Sequence, residues 1–233
     1  MEQLTQSEKQ QIESIGELEG NKLFEATSEQ QDVWFALDDF DPLSDTKDEW
    51  AGVELSAELK ECALRFESLA CEWSLPTPEG EVTGEFSLPH LYLALIDAAP
   101  QHSDVASDRD RLLLGELRMI DSAPSRATGE ASFIRIERHK KTLEIWHQDR
   151  YLHEEKNNTQ GFLEMDLSYC EYLNTLRMTK GAFGWQLLFL DIPLHGDAFR
   201  PHVENLKGML RVFPSEFQQY DYTPLMSRLE ARL

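Results

Sequence analysis

The stretch SFIRIERHKKTLEIWHQDRY, Ser132 to Tyr151, decides the architecture. Phe133, Arg135 and Glu137 alternate against Ile134, Ile136 and Arg138, the period of a half-buried strand. A second run rich in β-branched and aromatic residues, KTLEIWHQD, follows His139-Lys140-Lys141, where a polar turn is expected to close a hairpin. GELRMID, Gly115 to Asp121, predicts another strand just before it. Strands therefore cluster in the middle of the chain.

Helical spacing lies on both sides. Ser7 to Glu19 carries apolar residues only at Ile12, Ile15 and Leu18, a narrow stripe that predicts a peripheral surface helix. Val33 to Leu37 reads as a short strand or turn within a long acidic connection. From an N-cap at Ser56, the positions Leu59, Cys62, Ala63, Phe66, Leu69, Ala70 and Trp73 describe one helical face. Pro76, Pro78 and Gly80 predict a turn-rich loop, and LPHLYLALIDAAP a short buried helix opened by Ser87 with Pro89 and closed by Pro100; residues 101 to 110 read as a polar loop.

Farther on, Ser168 and Glu171 form a capping box for a helix to Lys180, with Gly181 suited to a left-handed end. GWQLLFLDIP reads as a buried strand or an apolar turn, and a last helix runs from Pro201 to Phe213. Helices at both ends of the chain around central strands predict an α+β fold, with a mostly antiparallel sheet on which those helices pack, over an alternating parallel α/β fold. The expected organisation is an acidic N-terminal segment, 1–54, an α+β domain, 55–193, and a C-terminal helical extension, 194–233.

Charge is distributed unevenly. The 233 residues carry a formal net charge of -21, and residues 1 to 110 hold 26 Asp and Glu against 6 Lys and Arg, whereas the rest hold 17 against 16. So acidic a half repels phosphate backbones and anionic membranes and attracts cationic proteins, which disfavours direct nucleic-acid and membrane partners. The charge peaks in FALDDFDPLSDTKDEW, Phe35 to Trp50, with six carboxylates and one lysine. A calcium loop begun at Asp39 would place Leu43 at position 5, Ser44 at position 6 and Trp50 at position 12, and fails on all three. Carboxylates interleaved with aromatics suit a protein-binding face. Its expected residues are Asp38, Asp39, Asp41, Asp45, Asp48 and Glu49, with Trp34, Phe40 and Trp50 as anchors.

Other chemistry is sparse. The sequence contains no GxSxG, P-loop, GxGxxG or HExxH motif. His147, Asp149 and His153 would share a face of one extended strand within reach of a metal, but Asp149-Arg150 more naturally turns the chain, and the histidines need no ligand. His195 with Asp197 and His202 with Glu204 read as structural pairs. The expectation is a non-catalytic protein without metal or cofactor. Cys62, Cys71 and Cys170, odd in number and without CxxC spacing, suggest reduced and mostly buried thiols. With no apolar run near the ~18 residues of a bilayer span and no basic and apolar leader, the expected compartment is the cytoplasm.

YCEYLNTLRMTKGAFGWQLLFLDIP, Tyr169 to Pro193, taken with the strands before it, resembles the C-terminal part of the SUKH superfamily. The resemblance covers roughly residues 116–193 and rests on Tyr172, Leu173, Leu176, Thr179, Lys180, Gly181, Gly184, Trp185, Gln186, Phe189 and Asp191. It implies an α+β domain of the kind found in bacterial immunity proteins, which bind and neutralise polymorphic toxins, often nucleases or deaminases. The expected function is therefore an immunity or inhibitor protein that holds a basic toxin through its acidic surface; a DNA mimic and an interaction scaffold are the alternatives.

Overall fold

The computed structural model describes residues 3–47, 50–100, 107–126, 129–137, 143–150, 152 and 161–233. Their strands form one antiparallel sheet in chain order: β1 (Glu25–Gln30), β2 (Ser68–Thr77), β3 (Gly80–Pro89), β4 (Leu117–Ser122), β5 (Ala131–Arg135), β6 (Glu144–Gln148) and β7 (Phe162–Met165). Helices α1 (Gln6–Gly20), α2 (Leu43–Thr46), α3 (Ala57–Cys62), α4 (Leu91–Ile96), α5 (Asp108–Glu116), α6 (Tyr169–Thr179), α7 (Arg200–Glu216) and α8 (Thr223–Glu230) complete an α+β fold with helices from both chain ends on the sheet. The larger apolar core runs from Ile15 to Leu229 and so draws on all three expected segments, and a second, smaller cluster gathers Leu113, Leu114, Leu117, Phe133 and Phe162. Among the described residues no helix is long and apolar enough to cross a membrane.

The helix expected from Ser56 to Trp73 stops at Cys62. Ser56 does cap it, its hydroxyl accepting from the Leu59 N–H at 3.2 Å, but Ala63 turns extended and β2 begins at Ser68. Leu69, Cys71, Trp73 and Leu75 also repeat with period two, and those four are buried. Ladders to β1 on one side and β3 on the other satisfy both backbone edges, which a helix here would forgo. β3 was hidden behind the turn residues: Pro78 and Glu79 form only a two-residue connection, with Thr77 paired to Gly80. The following helix, α4, is capped by His90, whose Nδ1 accepts from the Tyr92 N–H at 3.2 Å. Within 101–110, α5 begins at Asp108, and 101–106 lie outside the described residues, as does the expected hairpin turn at 139–141.

The first helix is more than peripheral. Glu8, fully buried, completes a capping box with Thr5 and accepts from Arg65 Nε at 2.8 Å. Ser14, Ile15 and Leu18 are buried too. Lys180, in the left-handed region at φ 54° and buried, donates from Nζ to the Ser14 carbonyl and to Glu17, tying α1 to the end of α6. Cys62 and Cys170, expected as thiols, form a disulfide between α3 and α6; the sequence spacing of 108 residues hid an adjacency that only the tertiary fold creates. Cys71 is a buried free thiol, pushed up to about 12 by burial.

The sheet has a seam. β3 and β4 share one ladder pair, Ser87 with Ser122, after which the strands diverge. The turn after α6 fills the gap: the Glu85 N–H donates to the Gly181 carbonyl and the Phe183 N–H to the Thr83 carbonyl, both at 2.9 Å. Gly181, at φ 69°, is needed there, because a Cβ would lie 2.8 Å from the Glu85 carbonyl oxygen. Asn205 of α7 adds its amide, accepting from the Thr83 N–H and donating to the Thr83 and Phe183 carbonyls. The segment Trp185–Phe189 then forms a buried 3-10 turn, with Trp185 against Tyr172.

Candidate functional site

The acidic segment lies over α4 as a short 3-10 turn, Leu37–Asp39, followed by α2. Its aromatics are partly committed to that packing. Phe40 stacks on Tyr92 at 4.1 Å between centroids, and Trp34 lies 5.8 Å from the His90 ring. Both are half-buried. Trp50, expected as an exposed anchor, is instead a core residue with 0% exposure whose indole N–H donates to the Leu95 carbonyl at 3.2 Å. An amphipathic ring at the end of a charged run met the nearest apolar helix, and its N–H found a carbonyl there. The exposed aromatic is Phe35, 65% accessible, which the sequence reading passed over. Its neighbour in the turn, Phe40, meets it edge-on at 6.2 Å.

Asp38, Asp39, Asp41 and Asp45 are exposed; Asp48 and Glu49 lie outside the described residues. Local structure uses some of this charge. Asp38 pairs with Lys60, and Asp39 accepts from the Ala36 N–H at 3.1 Å, fixing the turn. The Tyr92 hydroxyl donates to the Asp41 carbonyl at 3.3 Å, so the carboxylate of Asp41 stays directed to solvent on a held backbone. The segment is therefore a structured acidic surface with one projecting aromatic.

A second polar constellation lies inside, at the seam. Asp121 of β4 accepts from the Ser87 N–H at 2.9 Å and from the Tyr172 hydroxyl at 2.6 Å. Burial pushes its pKa up to about 7, against the lowering effect of those hydrogen bonds. Tyr172 is also bonded by Ser132 and Gln186, so Tyr172, Gly181, Gly184, Trp185 and Gln186 of the motif gather around this point, Phe189 packs on Trp185, and Asp191 is exposed.

One layer further, the register pairs Ala131 with Gln148, which sets Glu130 beside Asp149 just beyond the ends of β5 and β6. His202 enters from the first turn of α7: its Nε2 is 3.0 Å from Asp149 Oδ2 and 3.4 Å from Glu130 Oε1. All three residues are buried. Burial acts to lower the His202 pKa, but the hydrogen bonds to Asp149 and Glu130 outweigh it and raise it. His147, bonded to Ser132 through Nδ1 at 3.2 Å, is lowered to about 4 by burial. Of the expected trio, His147 and Asp149 do come together, while His153 lies outside the described residues. His202 was missed as their companion because it is 53 positions from Asp149 and only the packing of α7 brings it in. Comparisons with known proteins give no matching family model, no matching curated protein and no matching solved structure.

Proposed function

We propose that this chain is a non-catalytic immunity or inhibitor protein that binds and neutralises a basic cognate toxin of the nuclease or deaminase type. The observation that carries the reading is exposed Phe35 at the start of a segment whose Asp38, Asp39, Asp41 and Asp45 are exposed too. An exposed aromatic within a run of exposed carboxylates is the composition of an interface hot spot, and an acidic surface complements a channel built to hold phosphate. The likeness of residues 116–193 to the SUKH superfamily supports the same reading. A DNA mimic is favoured less, because the carboxylates sit on two short turns without a regular repeat along an axis.

Immobilised full-length chain, offered native lysate at about 0.1 M and about 0.5 M salt, tests it. The expected outcome is one basic protein retained at the lower salt, released at the higher, whose toxic activity is inhibited by the chain. Asp39→Asn, Asp41→Asn and Asp45→Asn together should weaken retention at least tenfold, as should Phe35→Ala. Enrichment of no basic protein, or retention indifferent to these changes, overturns the proposal.

The cytoplasm is the compartment proposed for this encounter. Cys62 and Cys170 provide its check, since cytosolic thiols are kept reduced. In a reducing cytoplasm the disulfide of the structure opens, so alkylation of intact cells should trap both as free thiols and the bond should close only in the isolated protein; a cystine in cells would move the encounter to an oxidising compartment.

A further inference from the structure

We propose that Glu130, Asp149 and His202 form a binding site for one divalent first-row transition-metal ion, with zinc as the ion best suited to the donor set. The three offer one ligand atom each, all within 4.8 Å of one another and all buried. Metal bonds of about 2.0–2.2 Å to nitrogen and oxygen put neighbouring ligand atoms about 2.8–3.6 Å apart in tetrahedral or octahedral geometry. The His202 Nε2 separations of 3.0 and 3.4 Å fall inside that interval. Without an ion the same two contacts are hydrogen bonds between His202 and the carboxylates of Asp149 and Glu130, so a metal would replace the imidazole proton between groups that already converge. Two buried carboxylates and a neutral imidazole supply the charge for a divalent ion, with the Arg126 guanidinium also interacting with Glu130 and the Glu85 carboxylate beside it.

The surroundings hold these ligands in place. The His202 ring stacks on Phe183 at 4.3 Å, and Gly184 clears its path, since a Cβ there would come within 2.9 Å of the His202 Cβ. Glu130 lines a cavity of about 10 Å³ together with Arg126, Ser132 and Gln186, room for one water beside that carboxylate. It also lines a surface groove with Gly129, Pro124 and Met119, so that of the three ligands Glu130 is the one nearest solvent. Imidazole with two carboxylates matches zinc or manganese; calcium would require more oxygens than these residues offer. Bound there, the ion ties α7 to the ends of β5 and β6.

The test uses the tag-free full-length chain, stripped with chelator and titrated calorimetrically with Zn²⁺ and with Mg²⁺. One equivalent of Zn²⁺ should bind with Kd at or below about 1 μM and Mg²⁺ at least a hundredfold more weakly, and Tm should rise by about 5–10 °C at a hundredfold excess of Zn²⁺ over Kd. His202→Gln and Asp149→Asn should each weaken Zn²⁺ at least tenfold. The triple Asp39→Asn, Asp41→Asn, Asp45→Asn variant should keep the tight equivalent, separating this site from the acidic surface. X-ray absorption at the zinc edge of the unaltered protein gives a readout that no folding defect can obscure, and one imidazole per zinc is expected. No tight equivalent, a tight equivalent unaffected by both single changes, or zinc without imidazole scattering overturns the proposal.

Discussion

At Asp121 a side chain stands in for missing backbone. Where β3 and β4 diverge, its carboxyl accepts the Ser87 N–H that a ladder would otherwise satisfy, and burial holds its pKa at about 7. A carboxyl raised in the folded state contributes stability that is fully present below its unfolded pKa of about 3.9, and loses it as pH climbs toward the folded value. We expect the urea stability of the native protein, relative to Asp121→Asn, to fall by up to about 1.4 kcal/mol per pH unit from pH 5 to 7 and then level off. A difference between the two proteins that stays constant from pH 5 to 8 would assign Asp121 no such role. Little of this was legible in the sequence: Asp121 ended an expected strand, and nothing local marked it as buried. Trp50 and Phe35 misled for a related reason, since one aromatic in an acidic run turned inward and the other outward according to where α4 lay.

Among the elements, those with end signals were readable. Ser168 and Glu171 form the capping box expected of them, and strands lie at 117–122, 131–135 and 144–148 as expected, although burial alternates only in the last: Ser132, Phe133 and Ile134 are all buried. Residues 63–73 satisfied helix and strand periods at once, and only cross-strand pairing could decide between them. Helix α8 was not foreseen, although Pro224 stands at its first turn. The α3–α6 disulfide joins residues 108 apart, so it restricts a long loop of the unfolded chain. Replacing both cysteines by serine should cost about 2–5 kcal/mol, measured by urea unfolding without reductant. Reductant should bring the native protein to the same midpoint and leave the double variant unchanged.

For the molecule as a whole, the charge split places a net -20 on residues 1 to 110, from 26 acidic against 6 basic residues. Repulsion within that half weakens with ionic strength. Raising NaCl from about 0.01 M to about 0.15 M should therefore raise Tm by a few degrees, and the triple Asp39→Asn, Asp41→Asn, Asp45→Asn variant should show a smaller rise, both followed by circular dichroism. A Tm indifferent to salt would mean that local pairs such as Asp38 with Lys60 already absorb the strain. The α+β class is legible because strands and helices segregate along the chain; the unbroken sequential order of the sheet is not, since β3 lies between the turn residues Pro76 to Gly80 and the helix signal at Ser87 and Pro89 without a strand signal of its own. The seam between β3 and β4 bears on how that sheet comes apart. With one ladder pair and a borrowed turn bridging it, β1–β3 and β4–β7 share few hydrogen bonds of their own, so their cooperativity is lent by the α6 turn. If that turn is loosened, the two halves should exchange their amide protons as separate populations, one sheet in shape and two in thermodynamics.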